Sequence, residues 1–263
     1  MARKQKKEES RSRCWVFGWV VFIWAGMLFG AQATDVSLEK KQSVLVPAKP
    51  TSNWRLLWWN ERHKKALQRV RKGNVDLVMM GDSITHAWET QGKEVWKTYY
   101  KAYHAVNLGF GGDQTEQVLW RIQHGEVGHI SPKVLVLLVG TCNTTKKRPV
   151  NETVAGIREI VQELEKRLPQ TRILLLAIFP RGRTAKNHFR EVNDEINRRI
   201  ATFADQKQIF FLDLSLRFLN KQKLLPKQVM PDFLHPNATG YKIWAEAMAP
   251  TLNHLMKLPP LKK

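Results

Sequence analysis

The chain predicts an α/β fold, one domain on a five-stranded parallel sheet doubly wound by helices. Five short runs rich in Val, Leu and Ile are apolar on consecutive positions, as strands covered on both faces require. Segments with apolar residues at helical spacing lie between these runs. No internal repeat or low-complexity linker divides the 263 residues, so a second domain is not expected.

The first helix is predicted over Asn53 to Lys72, with Trp54, Trp58, Leu67 and Val70 roughly on one face. Ser52 or Asn53 can cap it, and Gly73 ends it. The Trp54, Trp58, Trp59 cluster either packs this helix on the sheet or stacks on sugar rings. Strands follow over Asp76–Met80, Tyr103–Asn107, Lys133–Val139, Arg172–Phe179 and Gln208–Leu212. A helix starting at Asp113 or Thr115 carries Val118, Leu119 and Ile122. Another starts at Asn151 and buries Val154, Ile157, Ile160, Val161 and Leu164. A third spans Lys186 to Phe203, and a last one follows Asn237 with Ile243, Trp244, Ala247, Met248 and Leu252.

The N-terminus reads as a targeting segment. Arg3, Lys4, Lys6, Lys7, Arg11 and Arg13 precede an uncharged run from Trp15 to Phe29, and Ala31-Gln32-Ala33 offers a cleavage site before Thr34. That run is short of the ~20 residues a spanning helix needs, although an uncleaved signal-anchor is the rival expectation. The predicted organisation is a leader at 1–33, a polar lead-in at 34–52, the folded domain at 53–258 and a basic tail at 259–263. The expected location is outside the cytoplasm, periplasmic or extracellular. Loss of the leader removes Cys14 and leaves Cys142 as the single cysteine, so no internal disulfide can form. The net charge of +20 then becomes +16, from 37 basic and 21 acidic residues, after six basic and two acidic residues leave. Such a balance suits contact with a polyanionic glycan or a membrane surface, or simply solvated helix faces. No groove-reading motif points to nucleic acid.

The chemistry gathers at two separated strings. Gly81-Asp82-Ser83-Ile84 follows the first apolar run, which places Ser83 at the C-terminal end of a strand. About 150 residues later, Asp232 and His235 stand three apart, on one short turn. Ser, His and Asp are the parts of an acyl-transfer triad, in which the imidazole takes the hydroxyl proton and the carboxylate orients the imidazole.

Four blocks, in order, carry a resemblance: Gly81-Asp82-Ser83-Ile84, Asn107 to Asp113, Val139-Gly140-Thr141-Cys142-Asn143, and Asp232-Phe233-Leu234-His235-Pro236. The chain resembles the SGNH (GDSL-like) hydrolases, and within them the catalytic subunits of platelet-activating-factor acetylhydrolase and their secreted bacterial relatives, from about Val75 to about Leu255. The resemblance implies a flavodoxin-like three-layer α/β/α sandwich with no metal and no organic cofactor. It implies a serine esterase acting on short acyl groups, acetyl first. By motif position, Ser83 is the nucleophile, His235 the base and acid, and Asp232 its orienting group. Backbone N–H groups of Ser83 and Gly112 would form the oxyanion hole. The family's third donor is a side-chain amide. Cys142 occupies that place and Asn143 comes one later, so Asn143 is the candidate third donor only if the loop shifts.

Other residues are expected to be structural. Asp82 should make turn hydrogen bonds, and Asp113 should cap its helix and hold the oxyanion loop. His86, His104, His124, His129 and His188 lack metal-ligand spacing. The glycines at 109, 111 and 112 do not form a dinucleotide fingerprint. Pro180-Arg181-Gly182-Arg183 lies at the same rim, able to meet an anionic group on the substrate. The sequons at Asn143, Asn151 and Asn237 carry little weight, since two fall beside the candidate site. The expected substrate is an acetylated carbohydrate. An acetyl- or lyso-phospholipid is the alternative ester, and a decayed hydrolase that only binds acidic glycan is the rival from another class.

Overall fold

The computed structural model describes residues 45–259 and 261. The leader, the start of the lead-in, Cys14, Lys262 and Lys263 lie outside them. All described residues belong to one compact unit, 41–263, and among them no helix is long and apolar enough to cross a membrane.

Five strands form the predicted parallel sheet: β1 (Leu77–Gly81), β2 (Val106–Gly109), β3 (Val134–Leu138), β4 (Arg172–Leu176) and β5 (Ile209–Leu212). Their order is β2-β1-β3-β4-β5, every pairing parallel. Order reverses between β1 and β3, and in such sheets the crevice beyond the strands' carboxyl ends at that point is where ligands bind.

Alternation along each strand sends side chains to two cores. Val78, Met80, Leu135, Leu137, Ile173 and Leu175 share one with α1 (Asn53–Arg71), α4 (Thr115–Arg121), α6 (Val150–Arg167) and α7 (His188–Ile200). Leu77, Met79, Val134, Val136, Leu138, Leu174 and Leu176 share the other with α8 (Ala238–Lys257), and α3 (Lys93–Tyr99) packs its Val95 and Trp96 on that side. Burial on both faces is why the strands read as unbroken apolar runs. Two further short helices, α2 (Ser83–His86) and α5 (Thr141–Thr145), follow β1 and β3 directly at the site end of the sheet.

Three local expectations need correction. The second strand starts at Val106 rather than Tyr103, because Lys101–Tyr103 forms a 3₁₀ turn and His104 sits in the left-handed region at φ 47°. α4 is capped by Gln114, whose side chain and that of Gln117 form a reciprocal capping box, and Asp113 is left for other work. Helix α1 turns Trp59 inward (0% exposed) and leaves Trp54 75% and Trp58 37% exposed. The reason is polar as well as apolar: Trp59 Nε1 donates to Asp113 Oδ1 at 2.9 Å.

Candidate active site

The chain leaves β1 through a constriction. A Cβ on Gly81 would stand 2.1 Å from the Leu138 carbonyl oxygen, so only glycine lets β1 and β3 close here. Asp82 caps α2, its Oδ1 accepting the Ile84 N–H at 2.9 Å. Ser83 is thereby the first residue of the helix, half-buried at the rim. Asp82 itself is fully buried with Oδ2 unpartnered. Burial pushes its carboxyl up to about 7, against the Ile84 hydrogen bond that favours the ion.

The second string closes on the first from the far end of the chain. Ser83 Oγ lies 3.1 Å from His235 Nε2, and His235 Nδ1 lies 2.7 Å from Asp232 Oδ2. Asp232 Oδ1 accepts the backbone N–H groups of His235 (2.8 Å) and Leu234 (3.0 Å), so one carboxylate fixes both turn and ring. Partial burial raises the Asp232 pKa, but the bonds from His235 and Leu234 outweigh it and hold the carboxyl below its ordinary value. The turn passes through Phe233 at φ 57°, and the Phe233 carbonyl accepts the Gly182 N–H at 2.8 Å. Asn237 then caps α8 through Gly240 N–H (3.1 Å) and donates to the Gln228 carbonyl (3.0 Å).

The glycine loop after β2 carries Gly112, the candidate backbone donor. Gly112 has φ 78°, which favours glycine, and a Cβ there would stand 3.1 Å from Arg55 Nε. Asp113 is buried and gathers three donors: Arg55 Nη2 (2.7 Å), Trp59 Nε1 (2.9 Å) and Arg121 Nε (2.8 Å). Arg121, with no exposure, continues to Glu126, and Glu126 Oε1 meets His63 Nδ1 at 2.9 Å. This buried ionic chain locks the loop to α1 and α4. Sequence reasoning gave Asp113 a holding role but missed Arg55, Arg121, Glu126 and His63. An arginine in the apolar Val118, Leu119, Ile122 stretch was the available signal.

The candidate third donor is not where a loop shift would put it. Asn143 is 0% exposed, its Oδ1 accepts the Thr115 N–H (3.1 Å) and its Nδ2 donates to Thr115 Oγ1 (3.0 Å). The amide is spent on the first turn of α4, away from solvent. Cys142 keeps the partly exposed position at the rim. Burial, with the Asp82 and Asp113 carboxylates nearby, pushes its thiol well above the ordinary value, which disfavours the thiolate. Arg181 Nη1 donates to Thr145 Oγ1 at 2.8 Å and its guanidinium lies over the Phe189 ring. Its loop thus braces the His235 turn through Gly182.

Beside Gly111 and Gly112 opens a groove of about 950 Å³, lined among others by Trp54, Trp58, Lys49, Lys146 and Arg148. Residues 48–52 of the lead-in form one wall, tied down by the Ala48 N–H to the Glu116 carbonyl (3.2 Å). The lead-in therefore helps build this groove.

A parallel sheet with Ser, His and Asp hydrogen-bonded in series at its carboxyl end, next to a glycine loop, has the geometry of an acyl hydrolase. The model of the GDSL-like lipase/acylhydrolase family matches residues 79–243, and the chain belongs to this family. It is similar to human platelet-activating factor acetylhydrolase IB subunit alpha1, 32% identical over 199 residues covering 75% of this chain and 84% of that protein. The rat alpha2 subunit is 31% identical over 206 residues, 78% of this chain and 88% of its own. Among solved structures, a GDSL-like lipase from Bacteroides thetaiotaomicron superimposes with TM-score 0.55 at 20% identity, covering 85% of this chain and 98% of that one. An acetylxylan esterase from Geobacillus stearothermophilus gives TM-score 0.55 at 18% identity, covering 71% and 96%. Those two share the fold. The family and its relatives make this chain a carboxylic ester hydrolase.

Proposed function

We propose that the chain is a serine esterase that removes short acyl groups, acetyl first, from carbohydrate outside the cytoplasm. The observation that carries it is the hydrogen-bonded series Ser83 Oγ, His235 Nε2, His235 Nδ1, Asp232 Oδ2. Ser83 Oγ attacks the ester carbonyl carbon while its proton passes to His235 Nε2. The imidazolium, held by Asp232, gives that proton to the departing alkoxide, and the acyl group stays on Ser83. Water then attacks under the same base, and the carboxylic acid leaves. Backbone N–H groups of Ser83 and Gly112 receive the oxyanion.

Two features support a carbohydrate alcohol. Trp54 and Trp58 are exposed beside the groove, and large aromatic faces left in water suit sugar rings. Lys49 and Lys146 are exposed along the same groove and suit an acidic glycan. The names of the mammalian relatives keep an acetyl-phospholipid as the alternative ester. Cys142, in the place of an amide donor, favours a slow enzyme and, in the extreme, a binder of acidic glycan.

The test compares the wild-type chain with Ser83→Ala on p-nitrophenyl acetate and butyrate, then on acetylated glycan and acetyl-phospholipid. Wild type should release acetate faster than butyrate, and glycan acetate faster than phospholipid acetate. Equal inactivity of wild type and Ser83→Ala on every ester would leave only the binder.

A further inference from the structure

The oxyanion loop has a cation on its outer side. Arg55, on the first turn of α1, reaches the loop with two donors: Nε to the Gly111 carbonyl oxygen at 3.3 Å and Nη2 to Asp113 Oδ1 at 2.7 Å. The Gly111 carbonyl and the Gly112 N–H belong to one peptide group. A donor on the carbonyl draws electron density through the amide and makes its N–H a stronger donor, an effect of about 10–30% per bond. The guanidinium also stands where a Gly112 Cβ would touch it, at 3.1–3.4 Å, and its side chain is only 17% exposed, so its charge is weakly screened at the loop. Cys142 offers a weak donor where an amide is expected, and the Asn143 amide is committed to Thr115.

We propose that Arg55 is a positioning residue for catalysis: it polarises the Gly111–Gly112 peptide and adds its field to the oxyanion, and so supplies part of the stabilisation that Cys142 does not. Asp113 holds the guanidinium in place, and Arg121 and Trp59 hold Asp113. The stabilisation acts on charge that exists only in the transition state, so it belongs in kcat rather than KM.

This rests on the esterase function proposed above, and the experiment separates the two. p-Nitrophenyl acetate is uncharged, so Arg55 has no ground-state ion to bind. Arg55→Met should lower kcat about tenfold, a fraction of the hundred- to thousand-fold worth of a whole donor, with KM nearly unchanged. Arg55→Lys, which keeps the charge but not the two-pronged donor, should fall between. The same Arg55→Met change made in Cys142→Asn should cost clearly less, because a third donor then shares the oxyanion. A merely structural Arg55 would give losses that track melting temperature and are the same in both backgrounds. Unchanged kcat in a folded Arg55→Met, a loss confined to KM, or equal losses in the two backgrounds would overturn the proposal. Should Arg55→Met fail to fold, Arg55→Lys in both backgrounds carries the same comparison. Wild type no faster than Ser83→Ala would instead sink the esterase function itself.

Discussion

In the proposed mechanism Ser83 and His235 act on one proton, so their losses should not multiply. Ser83→Ala and His235→Ala should each remove nearly all turnover, and the double variant should be little worse than either. Steady-state rates on p-nitrophenyl acetate decide this, and multiplicative losses would break the proposed triad. Cys142 and Asn143 make the opposite pair. Cys142→Asn should raise kcat by at least about tenfold, since a whole oxyanion donor is worth roughly a hundred- to a thousand-fold. Asn143→Ala removes both bonds to Thr115 and should lower stability by about 1–3 kcal/mol, while folded enzyme keeps kcat near wild type. A dead but stable Asn143→Ala would restore Asn143 as an oxyanion donor. Asp82 gives a pH signature. With its carboxyl near 7 in the fold and an ordinary value of 3.8, the native state holds a proton there that the unfolded chain has lost. Its contribution to stability therefore falls as pH rises from about 4 to about 7, by roughly 1.4 kcal/mol for each pH step of one, then levels off. Asp82→Asn keeps the shape without the ion, so its stability relative to wild type should grow across that window. Urea unfolding at both ends measures it, and a constant difference would place the Asp82 carboxylate in its ordinary range.

At the scale of elements, how visible each part was in the sequence depended on how local its cause was. β1, β3 and β4 were visible because burial on both faces writes itself as consecutive apolar residues. The start of β2 was not, because Tyr103 and Ala105 are apolar yet pack beside α8 from a turn and a loop rather than from the sheet. Ser83, Asp232 and His235 were visible because each sits in a short string with its own turn chemistry. The buried chain from Arg55 through Asp113 and Arg121 to Glu126 and His63 was not, since it joins residues up to 63 positions apart and exists only once α1 packs on the loop. The same contrast marks the turn that carries His235. Asn237 both caps α8 and ties back to Gln228, so the helix start and the preceding turn share one side chain. Asn237→Ala should cost about 1 kcal/mol, as cap losses do. It should also lower kcat severalfold with little change in KM, because His235 loses registration with Ser83. Thermal unfolding with steady-state kinetics tests both, and lost stability with untouched kcat would show that Asp232 and Gly182 hold the turn unaided.

Across the whole molecule, the basic balance is distributed rather than confined to the site. Lys49, Lys146 and Arg148 line the groove beside Gly112, while Arg62, Lys65, Arg69, Lys93 and Lys97 line a second groove of about 530 Å³ near the sheet edge at β2. Several of these charges are already engaged, Arg62 with Glu89 and Lys97 with Glu94, so the second groove offers less free cation than its composition suggests. In the proposed function, an acidic glycan approaching the triad would cross a field that the net charge, +20 for the whole chain and +16 without residues 1–33, makes attractive overall. Salt collapses that field: the Debye length falls from about 10 Å at 0.1 M to about 3 Å at 1 M. KM for an acidic acetylated glycan should therefore rise about tenfold over that range, while KM for p-nitrophenyl acetate should stay level, since a neutral ester feels no steering. Lys146→Glu should flatten the salt dependence for the glycan and leave the neutral ester untouched, because Lys146 is exposed in the groove and makes no ion pair among the described residues. Equal salt curves for the two substrates would mean that the basic surface is only solvated helix faces.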